Sequence, residues 1–214
     1  MKKGDLVWGA IQLGLVLFIV SPLTNPIFVR FTTGYPYIGG FVKFMILATM
    51  GELLALRIKA DKWVRPLGLA YRALIWGFFG LLITLMFQIF ANGVTASMQS
   101  GYLPGAGSKL AFALQTSLFT NLFFAPVFMA VHKITDTYID LRVSGKNPRP
   151  NISDILAAAD WNHFVNFVLL KTIPFFWIPA HTITFLLPGE YRILVAAMYS
   201  VVLGALLSLG KKVR

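Results

Sequence analysis

Four residues interrupt long apolar stretches where polarity is costly: Glu52, Arg72, Asn121 and His181. An ionisable group inside a membrane helix costs about 2.5 to 3.5 kcal/mol on insertion scales, so it must pair, face water or reach the surface. Glu52 lies little more than one helical turn before Arg57, and Arg72 lies about as far into the apolar run that returns after a short connection. The two share a depth, and we expect them to pair. Such a pair either orients a helical hairpin or forms one wall of a polar pathway. Lys43, near the other end of its run, can extend its amine to the surface.

Uncharged polar residues extend the same idea. Thr49, Gln88, Gln115, Thr116, Thr120, Thr182 and Thr184 join Asn121 and His181 inside apolar runs, and His181 follows a break at Pro179. Kinked helices with polar neighbours line cavities in membrane proteins. Interhelical hydrogen bonds explain such residues equally well. Enzyme chemistry finds no support: the chain carries no nucleophile elbow, Walker loop or Gly-rich dinucleotide fingerprint. His132 and Asp136 share a helix face and His163 follows Asp160, but a metal centre needs three or four convergent ligands. No catalytic residue, metal or cofactor is expected.

The elements that position these groups must be membrane helices. The 214 residues are 57% hydrophobic and 13% charged, and the mean hydropathy is +0.72, far from the soluble globular range. Cys is absent, which excludes disulfides and thiolate sites. A bilayer-crossing helix needs about 20 mostly apolar residues. Six stretches come near, at 6–29, 38–56, 67–91, 110–131, 164–187 and 193–209. Pro22 and Pro26 break the end of the first, and Pro174 and Pro179 break the fifth. Residues 153–173 read as an interfacial helix capped by Ser153 or Asp154 that leads into that broken span. The segments 92–109 and 133–151 read as the long loops.

Charge orients the spans. The net charge of +11 could signal nucleic acid, anionic lipid or cytoplasmic loops. Thirteen Lys and Arg fall in the two tails and the second and fourth connections, against three (Arg30, Lys109 and Arg192) in the alternate connections. Cytoplasmic loops carry that excess, so both termini are expected inside and nucleic-acid binding is not. The Met1-Lys2-Lys3 start suits a bacterial inner membrane, with an organelle membrane as the alternative.

Without a hydrophobic drive between helices in lipid, small residues set the contacts. Ala48, Gly51 and Ala55 share one face, and Ala196, Ser200, Gly204 and Ser208 repeat at i, i+4. These stripes serve bundle packing or else a homo-oligomer face.

Toward the C-terminus a family pattern emerges. Trp177-Ile178-Pro179-Ala180 precedes Pro188-Gly189-Glu190-Tyr191-Arg192 and Leu207-Ser208. Upstream stand Gly51-Glu52, Arg72 with Gly77 and Gly80, and Phe124-Ala125-Pro126-Val127-Phe128. In this order the segments resemble the Mpv-type peroxisomal and mitochondrial membrane protein family, over roughly residues 40 to 209. Thr120-Asn121 stands where that family has Asp-Gln, and Leu203-Gly204 where it often has Trp-Asn. The resemblance implies a family-like core at 36–214 after an additional N-terminal span at 1–35, and a small channel-like protein.

The sequence thus predicts a single all-α membrane domain over 1–214, with about six spans and the lipid bilayer and small solutes as its partners. Passage of small solutes is the leading expectation. The substrate-binding membrane subunit of a vitamin or micronutrient transporter is the alternative.

Overall fold

The computed structural model describes residues 3–210, and side chains as far as residue 206. Among these residues the chain is all-helical, without strands. The helices are α1 (Lys3–Val20), α2 (Asn25–Gly34), α3 (Pro36–Ala60), α4 (Leu69–Gln99), α5 (Lys109–Phe119) and α6 (Ala125–Val143), followed by α7 (Ile152–Ala158), α8 (Trp161–His163), α9 (Ile178–Leu186) and α10 (Gly189–Gly210). Two π-helical stretches, Thr120–Phe124 and Phe164–Trp177, join α5 to α6 and α8 to α9. Five continuous helical runs are long and apolar enough to cross a membrane: Lys3–Val20, Leu69–Gln99, Lys109–Val143, Trp161–Leu186 and Gly189–Leu206. The 25-residue α3, expected as a sixth, is not among them and carries Lys43 and Glu52 within its apolar stretch.

Several boundaries differ from the sequence expectation, each for a local reason. The run at 6–29 is not one helix: α1 ends at Val20, the chain turns near Pro22, and α2 restarts with a proline in its first turn. Helix α4 continues to Gln99, into the expected loop 92–109, and there Asn92 and Thr95 turn their side chains back on the same helix: Asn92 accepts from Gln88 Nε2 at 3.0 Å and Thr95 Oγ1 donates to the Ala91 carbonyl at 2.8 Å. Likewise α6 runs on to Val143, deep into the expected loop 133–151. The cap of α7 is neither Ser153 nor Asp154 but Asn151, in a reciprocal capping box with Asp154, and this helix ends at Ala158 rather than near residue 173.

The fifth run is not broken by its prolines. Pro174 lies inside the π-helical stretch, and Pro179 occupies the first turn of α9, so helical winding persists from Trp161 to Leu186. Wider π turns re-satisfy the backbone groups that a proline frees.

At the centre lies α3, packed against α4 and α10, while α5 packs on α9. The α3–α4 crossing is close: a Cβ on Gly40 would stand 2.7 Å from the Gly80 carbonyl oxygen. Phe44, Leu47, Phe87, Phe185 and Leu194 form the heart of the buried core. None of α1 is buried; it is tied to α3 by Asp5 with Arg57 and by Trp8 Nε1 donating to the Met50 carbonyl at 3.1 Å.

Candidate functional site: two cavities meeting at Phe87

Arg72 enters the bundle in the first turn of α4 and is 7% exposed. Its Nε donates to the Leu67 carbonyl at 3.3 Å, Nη1 to Asp136 Oδ1 at 2.9 Å and Nη2 to Asp140 Oδ1 at 2.5 Å. Glu52 Oε1 lies 3.4 Å from Nη1. The expected Glu52–Arg72 pair therefore exists as the longest of three carboxylate contacts around one guanidinium. Asp136 and Asp140 lie on α6 beyond residue 132, inside the stretch 133–151 expected as a loop, although Asp136 is also expected to share a helix face with His132. Spaced at i, i+4, they present two carboxylates along one helix face, matched to the rigid fork of an arginine. One turn earlier, His132 Nδ1 lies 3.5 Å from Asp136 Oδ2, and its ring packs 4.4 Å from Trp76 and 5.6 Å from Phe79.

The second polar group forms where the π-helical stretch Thr120–Phe124 faces α9. Asn121 Nδ2 donates to the Ser117 carbonyl at 2.8 Å, and the same amide lies 3.0 Å from His181 Nδ1. Ser117 Oγ donates to the Ile178 carbonyl at 2.7 Å, which fixes α5 to the start of α9. The His181 ring lies 5.2 Å from both Phe87 and Trp177. Thr120, only 1% exposed, buries its hydroxyl without a hydrogen-bond partner among the described residues. Buried polar groups are rarely left so.

Both groups border one cavity of about 410 Å³. Glu52, His132 and Asp136 wall it near Trp76, and Thr120, Asn121 and His181 near Phe87. Trp76 and Phe87 are eleven residues apart on α4, about 16 Å at 1.5 Å per residue. Between them the walls are apolar and aromatic, including Phe44 and Phe128. Arg72 is not a wall residue; it stands behind Glu52 and Asp136 and holds them. A second cavity, of about 380 Å³, is lined by Thr32, Lys43, Gln88, Glu190 and Arg192, and again by Phe87. There Lys43 Nζ donates to Thr32 Oγ1 at 2.8 Å, and Arg192 Nε to the Leu187 carbonyl at 3.0 Å. Phe87, 4% exposed, thus borders both spaces, with the Phe185 ring 4.9 Å away.

The small-residue stripes meet across α3 and α10. A Cβ on Gly51 would stand 2.8 Å from the Ser200 backbone, and one on Gly204 would stand 3.5 Å from Ala55 Cβ. Ala48 and Ala196 are buried beside them, and this seam also walls the larger cavity. The Ser208 side chain lies outside the described residues. Of the expected interior residues, Glu52, Asn121 and His181 reach one cavity. The sequence reading did not single out Asp140, Trp76 or Phe87, and it gave Asp136 a place only beside His132. For Asp136 and Asp140 the signal present was their i, i+4 spacing after His132.

Comparison with known proteins adds no relative: no protein-family model matches the chain, and neither a curated protein nor a solved structure is significantly similar to it.

Proposed function

We propose that the protein is an integral membrane protein that passes small solutes, with Phe87 as the constriction between two opposed vestibules. The single observation that carries this reading is that one buried ring borders both cavities. Hydrophobic constrictions gate narrow pathways by excluding water until they move. With α3 counted as a sixth crossing beside the five long apolar runs, the asymmetry of Lys and Arg supports an orientation in which both termini and the carboxylate-walled vestibule face the cytoplasm. The vestibule with Lys43 and Arg192 then opens to the opposite side. The ordered motifs from Glu52 to Leu207 resemble a channel-like family, and that agrees in class.

A second reading has its own support. A cavity of about 410 Å³ with apolar walls and a few convergent polar groups also suits a ligand-binding membrane subunit. The test is solute-driven swelling of proteoliposomes containing purified protein, with a graded series of polyols. Phe87→Ala is expected to raise the rate several-fold and to admit larger polyols, and Phe87→Trp to lower it. Equal rates in parent and both variants would remove Phe87 as the constriction. A small molecule retained through purification, with no flux in any variant, would favour the binding subunit.

A further inference from the structure

We propose that the larger cavity binds a small organic cation, its ammonium head beside Glu52 and Asp136 and its apolar body against the aromatic walls. This names the solute class of the cavity described above and rests on the reading that the cavity admits solute.

Charge supplies the first argument. The chain has only eight acidic residues against nineteen Lys and Arg, yet three of the eight converge on the single guanidinium of Arg72. Asp5 pairs with Arg57, Asp154 answers the Asn151 cap in its capping box, and Asp160 caps α8. Asp140 is 69% exposed and is screened by solvent. At the cavity wall Glu52 and Asp136 share Arg72 with Asp140, so three carboxyl groups face one guanidinium. Arg72 does not line the cavity, and each of its three nitrogens already donates to a protein oxygen, so its charge is directed at its own partners rather than at an anion there. A cation completes the balance.

Wall chemistry supplies the second. Trp76, Phe44 and Phe128 line the cavity on the carboxylate side. Aromatic faces attract ammonium groups, more strongly where water is excluded, and aromatic cages are a recurrent solution for quaternary ammonium ligands. The third argument is Thr120. Its unpartnered hydroxyl lies at the far end of the same cavity, beside Asn121 and His181. A ligand with a hydroxyl remote from its ammonium group would supply the missing partner.

The experiment uses purified full-length protein in detergent and calorimetric titration with three probes long enough to reach from the carboxylates toward Thr120: (6-phenylhexyl)trimethylammonium, its para-hydroxy derivative, and the neutral carbon isostere with a tert-butyl group in place of trimethylammonium. Both cations are expected to bind saturably, at least tenfold more tightly than the isostere, and the hydroxylated cation more tightly than the plain one. Glu52→Gln and Asp136→Asn are each expected to weaken cation binding about tenfold. Thr120→Val should abolish the preference for the hydroxyl and leave the plain cation unaffected. Equal binding of cation and isostere by the parent protein would overturn the proposal, and that comparison needs no variant to fold. Cation binding unaltered in both carboxylate variants would overturn it too. Selective cation binding without polyol flux in any Phe87 variant would refute passage and leave this site standing. Flux without cation selectivity would do the reverse.

Discussion

Gly204 packs directly on Gly51: a Cβ added at residue 204 would stand 2.9 Å from the Gly51 carbonyl oxygen, closer than real Cβ atoms come. The reverse substitution is tighter still, because a Cβ on Gly51 would meet the Ser200 carbonyl carbon and oxygen at 2.8 Å. Backbone cannot swing aside as a flexible side chain can. Gly51→Ala is expected to destabilise the folded protein by about 1 to 3 kcal/mol, the usual cost of overpacking. Gly93, also within a helix, has nothing within 4 Å of its would-be Cβ. Gly93→Ala should therefore be neutral or stabilising through helix propensity, by up to about 1 kcal/mol. Thermal unfolding in one detergent, with both variants beside the parent, checks the contrast. Equal midpoints would mean that the α3–α10 contact gives way.

Arg72 compensates three carboxylates at once, so the cost of losing it exceeds that of losing any one partner. Arg72→Gln is expected to cost about 3 to 5 kcal/mol, because it leaves half-buried negative charges facing one another. Asp140→Asn should cost under about 1 kcal/mol, since that carboxylate is largely solvated. Combining Arg72→Gln with Glu52→Gln and Asp136→Asn should recover part of the lost folded yield. Size-exclusion recovery after mild heating measures all three. No recovery in the triple variant would show that the guanidinium acts through packing rather than charge.

Much of this arrangement was legible in the sequence because lipid imposes strong rules. The apolar runs, the stripes of small residues and the depth match of Glu52 with Arg72 are what a bilayer demands of helices long and apolar enough to cross it, where polar groups need partners and helices need small residues to approach. What was hidden depended on local hydrogen bonds stronger than the signal of composition. Asn92 and Thr95 look like loop residues, yet their side chains bond back onto their own helix, which runs on to Gln99. Asp136 and Asp140 look like solvated loop charges until Arg72 is placed opposite them. Pro174 reads as a breaker, but a π-helical stretch absorbs it. Phe87 was one aromatic among 19 phenylalanines, and only its position between two cavities singles it out.

Thr120 makes an opposite prediction to most buried polar residues. Because its hydroxyl has no partner, replacing it with the near-isosteric Val removes an unsatisfied group and adds a methyl. An unmet buried polar group costs about 1 to 3 kcal/mol, so Thr120→Val is expected to raise the unfolding midpoint by several degrees. Asn121→Leu should lower it, since the Asn121 amide holds Ser117 and His181. A fall in stability for Thr120→Val would mean that a water or ligand satisfies the hydroxyl in solution.

The absence of Cys makes the orientation directly measurable, because a single introduced thiol is the only one in the chain. Tyr102 lies exposed in the connection after α4, and Lys146 lies exposed in the connection after α6. In the proposed orientation the connection after α6 is cytoplasmic and the connection after α4 lies on the other side. In intact cells expressing the protein, Tyr102→Cys is therefore expected to react with a membrane-impermeant maleimide, and Lys146→Cys only after permeabilisation. If Lys146→Cys is labelled first, the carboxylate-walled vestibule faces outward, and the Lys43 and Arg192 vestibule is the cytoplasmic one. Labelling of both thiols from one side would instead leave no membrane between the two connections, and the opposed vestibules would lose their meaning.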